Sequence, residues 1–445
     1  MAPLTRRQLL RSLAAAPLAA QVPGERPGRE PGVEVLNPRD RVPVSLIIDD
    51  STCLVNLNKF SIPQFALARP GLNYDTLPWR SMPREIPDDF VRRFVDWAGE
   101  NGVRGKYSIV PFPACVGRLD RTLPGWPRKQ VDESIRLVRE RVTPAWDIHP
   151  EMITHTWVID LKTGHPYAER NERFVENWRW SDNRSVDELA AYLSYALRIL
   201  HNVDLPCEGV TTPGGFGTGA LPQLSQATLE ACRDVYQAEI PHYFRHLIRE
   251  GDQSVEPRVE YASGLGGDDP KCCVSIIGCT ADWSGGWDCS NRGDLDRFIT
   301  PDLSSGRMVE VIDRGEPAVM VCHWTGIYFN GEEVGLKIYQ EVVRRLHAKY
   351  DNLIWMKNSE LARYWAAREL TKFRREGAEL RIEAPFACPD FTLRLSRGKS
   401  APPRFAGMPL REVGSARALK AGTWAVQGES ILACVDMPKG ASILS

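Results

Sequence analysis

The sequence predicts an α/β protein in which parallel strands are covered by helices, with a small β-rich part at its C-terminal end. Three observations predict it. From Val42 to Leu370, short apolar runs alternate with amphipathic stretches, roughly seven or eight times. The apolar runs are continuous, as strands buried on both faces are, not alternating. After Leu370 the helical period stops and short runs of mixed polarity follow. A closed barrel and a doubly wound sheet both satisfy this order.

Each element rests on its own pattern. The run VPVSLII at 42–48 reads as a buried strand. Residues 86–98 place Ile86, Phe90, Phe94 and Trp97 on one helical face, with Pro87 suited to the first turn. A strand at 106–110 and a helix at 129–141 follow. Then come a strand at 151–157, a helix at 186–200, a strand at 208–212 and a helix at 222–236. CCVSIIG (272–278) and AVMVCHW (318–324) are strands. Leu336, Tyr339, Val343 and Leu346 mark a helix face, and NLIWM (352–356) and residues 358–369 close the series. Residues 371–445 are expected to form a small β domain.

The first 41 residues stand apart. MAPLTRRQLLRSLAAAPLAA (1–20) has a basic start, an apolar run and small residues, the layout of an export signal. Arg6 and Arg7 before Leu9 and Leu10 resemble a twin-arginine leader. A periplasmic or secreted protein is expected. Residues 21–41, punctuated by Pro and Gly, read as a linker. No other apolar stretch reaches the roughly 18–20 residues of a membrane helix. With 56 basic and 57 acidic residues, the chain gives no reason to expect nucleic acid as a partner. In an oxidising compartment, Cys272, Cys273, Cys279 and Cys289 are close enough in sequence to predict at least one disulfide.

In a parallel barrel, function sits at the C-terminal ends of the strands. The polar residues there are Asp49-Asp50, His155, the turn Thr211-Thr212-Pro213-Gly214-Gly215, and His323-Trp324. A carboxylate and an imidazole can hold a divalent ion, and a second pair can serve as general base and acid. Thr212, Pro213, Gly214 and Trp324 are the candidate substrate contacts. Trp178 and Trp180, and Trp283 and Trp287, lie in long loops at the same expected mouth and suit the apolar faces of sugar rings.

These residues resemble the NodB-type polysaccharide deacetylases. Ile47-Ile48-Asp49-Asp50 stands where that family has T-F-D-D, and Glu151-Met152-Ile153-Thr154-His155-Thr156 matches the first half of its H-[ST]-x-x-H motif. Thr212-Pro213-Gly214-Gly215 resembles the end of its third motif, Val321-Cys322-His323 its L-x-H, and NSELARYW (358–365) its final helix. The resemblance implies a distorted (β/α)7–8 barrel over about residues 42–368 and a carbohydrate deacetylase. Asp49 is then the base, Asp50 and His155 metal ligands, His323 the acid, and Zn2+ or a similar divalent ion the cofactor.

Two positions depart from the family. Ile159 occupies the place of the second His ligand, with Asp160, His149 and His165 the nearest substitutes. Thr211 and Thr212 stand where the family has the Arg that orients the base. Two other functions therefore stay open. One is a glycan-binding barrel that has lost the reaction. The other is glycosidic cleavage, with Asp49 and either Asp160 or Asp282 as the carboxylate pair.

Overall fold

The structure is a computed structural model and describes residues 26–396 and 402–445. The expected export leader lies outside the described residues. The fold is mixed α/β with parallel sheets. β1 (Val42–Asp49) is the central strand, and all eight of its residues are buried. It lies between β2 (Gly105–Ile109) and β8 (Ala318–His323), both parallel to it. β3 (Trp146–Pro150) pairs parallel with β2, and β9 (Leu353–Trp355) pairs with the first residues of β1.

A second sheet carries β4 (Gly209–Thr211), β5 (His242–Leu247), β7 (Lys271–Gly278) and β6 (Arg258–Ser263), in the order β4-β5-β7-β6. Its first three strands are parallel, and β6 runs antiparallel at the edge. The sheets meet at two seams. One is the parallel bridge between Glu151 and Thr211, and the other the bond from Cys279 N to Val319 O, 2.7 Å. Helices Asp88–Glu100, Arg128–Leu137, Val186–His201, Leu221–Tyr236 and Val334–Lys349 cover the strands near the expected positions.

One strand is displaced from its expected place. The apolar, β-branched run 151–157 is not a strand; the strand is Trp146–Pro150, just before it. Met152 and His155 adopt positive φ (53° and 64°), which no strand tolerates. The backbone N–H groups of Ile153, Thr154 and His155 do not enter a ladder; they converge on the buried Glu176 carboxylate. β5 and β6 were not expected, because HYFRHL and RVEYAS mix charge with apolar residues.

The C-terminal β domain consists of two five-stranded sheets. The segment expected to be a linker contributes to it: Val33–Val35 pairs antiparallel with Cys388–Ser396. The domain packs on helix Asn358–Leu370, where Tyr364 Oη donates to Leu36 O at 2.6 Å and accepts from Thr392 N at 3.2 Å. No helix among the described residues is long and apolar enough to cross a membrane.

All 11 cysteines are free, which corrects the expected disulfide. Cys272 and Cys273 are neighbours on β7, so their side chains point to opposite faces. Cys279 lies six residues further along an extended chain, beyond disulfide reach of either. Burial pushes the Cys279 and Cys289 thiols up to about 12.

Candidate active site

The C-terminal ends of the strands enclose a pocket of about 410 Å3. Asp49 closes β1 and Asp50 follows it in the left-handed region, φ 60°. That conformation costs a non-glycine residue about 1 kcal/mol. It is held by the Asp50 backbone N–H, which donates to Glu151 Oε2 at 2.7 Å. The bond ties the end of β1 to the end of β3 and brings Asp50 and Glu151 to one point.

His155 reaches the same point from the turn after β3. Its Nε2 lies 2.8 Å from Asp50 Oδ1 and 3.5 Å from Glu151 Oε1. One donor atom from each of Asp50, Glu151 and His155 lies within 4.8 Å of the others, and all three residues are buried. The turn is shaped by Glu176. Its carboxylate accepts from Thr154 N (3.0 Å), His155 N (2.5 Å) and Tyr192 Oη (2.5 Å). Burial raises the Glu176 pKa to about 7, against those bonds. Burial disfavours the charged His155 imidazole, yet Asp50 and then Glu151 outweigh it and hold its pKa well above the ordinary range.

Glu151 is thus the third member that the sequence motif lacked. None of the sequence-based substitutes takes that place. His149 pairs with His242, His165 is exposed, and Asp160 caps its own turn through Lys162 N at 3.0 Å.

The missing arginine also has a counterpart. Lys106, in the middle of β2, is fully buried, and its Nζ donates to Asp49 Oδ1, to Ser108 Oγ at 2.8 Å and to Ile48 O at 3.2 Å. Asp49 Oδ1 is engaged by this ammonium, and Oδ2 remains to accept a proton. Burial raises the Asp49 pKa, and Lys106 opposes the rise.

On the other side stands His323, at the end of β8. Asp282 Oδ2 accepts from His323 Nδ1 at 2.7 Å and from its backbone N at 3.2 Å. Asp282 Oδ1 is held by Ser284 N (2.9 Å) and Ser284 Oγ (2.6 Å). These bonds fix the orientation of the imidazole through Nδ1 and leave Nε2 for the pocket. Burial opposes charge on His323, but Asp50 and Asp282 prevail and set its pKa at about 10. Asp282 is therefore the partner of His323, and Asp49 the partner of Lys106.

Thr212, Pro213, Gly214 and Gly215 line the pocket as expected. Gly214 (φ +46°) lets the turn close on the Asn177 loop; a Cβ there would lie 2.5 Å from Asn177 O. The expected contact Trp324 does not line it. Its side chain is 1% exposed and packs on Phe90, Phe94 and Tyr107, with ring centroids 5.0–5.2 Å away. It is the first residue of a short helix that turns inward. The loop tryptophans divide. Trp178 and Trp287 line the pocket, whereas Trp180 packs on Tyr192 and Trp283 on Phe298. Phe65, Tyr74, Asn177, Phe244 and Arg245 also line it and were not anticipated. They lie in helix Leu57–Ala68, in loops and on β5, none of which the periodicity revealed.

No family model and no curated protein matches the chain. Solved structures that resemble it include one from Pseudomonas aeruginosa PAO1 described as a probable polysaccharide deacetylase. The identity is 11%, over 73% of this chain and 91% of that one, with a TM-score of 0.41. An allantoinase resembles it at 11% identity over 74% of this chain and 92% of its own, TM-score 0.39. A CE4 family pseudoenzyme from Bacillus anthracis does so at 10% over 77% and 69%, TM-score 0.31.

Proposed function

We propose that the chain is a hydrolase that removes an acyl group, most simply acetyl, from a nitrogen or oxygen of a carbohydrate. Its scaffold is a distorted (β/α) barrel, and its leader directs it to the periplasm or beyond. One observation carries the reading. A three-donor cluster, a lysine-backed carboxylate and a carboxylate-backed imidazole converge in one pocket with aromatic walls.

The cluster suits a divalent cation such as Zn2+. Asp50 Oδ2 is buried without a hydrogen-bond donor, Oδ1 faces only His155 Nε2, and carboxylate oxygens with an imidazole nitrogen are donors that such ions accept. Asp50, Glu151 and His155 would hold it. Bound there, it would polarise the acyl carbonyl and lower the pKa of a neighbouring water.

The chain's own groups do the rest. Asp49 takes the proton of the attacking water on Oδ2, while Lys106 keeps Oδ1 fixed and prevents rotation away from the reacting atoms. His323 carries its proton at neutral pH and donates it from Nε2 to the leaving nitrogen or oxygen. Asp282 holds the imidazole in place as its charge changes. Tyr74, Trp178 and Trp287, backed by the buried Phe65, offer flat apolar faces against which a sugar ring stacks.

Acetate release from acetylated chito-oligosaccharides and acetylated xylan tests this. With Zn2+, Mn2+, Co2+ or Ni2+ supplied, the wild type releases acetate. Asp49→Asn and His323→Gln lower kcat by about 10²–10⁴ with little change in KM. A wild type that holds a cation yet releases no acetate from either polymer refutes the reading.

A further inference from the structure

Arg245 lines the pocket and has no role in the chemistry above. Its position on β5 is unusual. β7 pairs Ile276 with Phe244 and then Ile277 with His246, so Arg245 is an extra, unpaired residue in the ladder. Such a bulge re-aims a side chain, and bulges are frequent beside active sites. Here it lets the successive residues Phe244 and Arg245 both line the pocket, which a regular strand forbids.

The guanidinium is under-used where it lies. One nitrogen donates to Thr218 Oγ1, and Nε is buried with no hydrogen-bond partner. Among the described residues no carboxylate forms an ion pair with it. Structural arginines in this protein look different. Arg307 gives its Nε to Cys279 O, its Nη2 to Ile248 O and its Nη1 to Gly251 O and Glu310. Arg345 is likewise engaged by Glu341, Asp296 and Ile299 O. A half-buried guanidinium whose only side-chain partner is a neutral hydroxyl has donors left over, and an oxyanion on the ligand would engage them.

We infer that Arg245 is a specificity residue that binds an oxyanion, a carboxylate or a phosphate, on the carbohydrate ligand. The preferred substrate is thus an acylated acidic sugar and not a neutral one. This rests on the reading of the pocket as a carbohydrate site.

The test is binding, read from the fluorescence of Trp178 and Trp287 in the full chain. The probes share one ring: N-acetylglucosamine, N-acetylmuramic acid with a carboxylate, and N-acetylglucosamine 6-phosphate. Wild type binds at least one acidic probe on the order of tenfold more tightly than the neutral sugar. The arm that binds identifies carboxylate or phosphate. Arg245→Gln abolishes the preference, bringing the acidic probes and the neutral sugar to one affinity, and Arg245→Lys retains part of it. Equal binding of all three sugars by wild type, a preference that survives in Arg245→Gln, or no saturable binding of any probe overturns the inference. Acetate release is scored separately. An Arg245-dependent preference without acetate release refutes the hydrolase and leaves the anion site. Acetate release without the preference does the reverse.

Discussion

Among the described residues, two clusters hold three metal-ligating side chains each, and they differ in what is left over. One is Asp50, Glu151 and His155 at the strand ends; the other, the deep cluster, is Asp147, His149 and His242, further from the pocket mouth toward the starts of β3 and β5. In the deep cluster every group has a protein partner. Asp147 accepts from Ser359 N at 2.6 Å and Ser359 Oγ at 2.8 Å. The two imidazoles share a bond at 2.9 Å between their Nε2 atoms. His149 Nδ1 faces Thr211 Oγ1, and His242 Nδ1 faces Ile240 O, both at 3.4 Å. Burial lowers the pKa of both imidazoles, so they form a neutral hydrogen-bonded chain. Gly209 makes room for it, since a Cβ there would lie 2.7 Å from His149 Nε2. At the strand ends, by contrast, Asp50 Oδ2 has no donor, Oδ1 has only the His155 imidazole, and two carboxylates face that one ring. Residue type nominates both clusters; unsatisfied valence distinguishes them.

The contrast can be broken by removing partners. The largest effect is expected at Lys106, because it is fully buried and compensates Asp49. Lys106→Met should destabilise the fold by about 3–5 kcal/mol in urea unfolding, as breaking a buried pair does. Asp49→Asn combined with Lys106→Met should recover much of that stability and none of the activity. Full stability in the single variant would show that the pair is not a coupled unit.

A smaller loss is expected in the deep cluster. His242→Leu leaves His149 Nε2 without its partner and should cost about 1–3 kcal/mol, with acetate release unchanged. A loss of activity at full stability would give the deep cluster a chemical role.

The smallest effect is a titration. In metal-free protein, NMR should show His323 protonated past pH 8 and deprotonating near 10. Its folded pKa lies above the ordinary 6.5, so the stability it contributes is complete below about 6.5 and lost as pH rises through 10. Asp282→Asn removes one of its two supports and should move the midpoint down. An unmoved midpoint would mean that Asp282 does not hold the imidazole.

Much of this site was legible in the sequence, and the rest was hidden for physical reasons. Asp49, Asp50 and His323 stand at strand ends, and strand ends can be read from apolar runs. His155 was found, although its strand was misplaced. Glu151 was in plain view four residues before His155, a spacing that in a helix or a tight turn returns to the same side. Its role is hidden in the sequence because the run 151–157 reads as a strand, in which residues four apart lie far from one another. Lys106 carried a signal of its own, since a lysine inside the apolar strand GKYSI needs a buried partner. Trp324 misled because adjacency to His323 does not imply a shared direction when a helix begins between them. Arg245 was not recoverable, since a bulge depends on the partner strand's register. The fold followed the same division. Long periodic helices were read closely, and mixed-polarity strands such as His242–Leu247 were missed.

On the reading proposed above, Asp50, Glu151 and His155 form the cation site and the deep cluster does not. Metal analysis of purified chain after loading and desalting tests it most directly. One divalent ion per chain is expected in wild type and in His242→Leu, and none in Asp50→Asn or His155→Ala. A wild type that retains no ion, or an ion lost from His242→Leu but kept by Asp50→Asn, would contradict it.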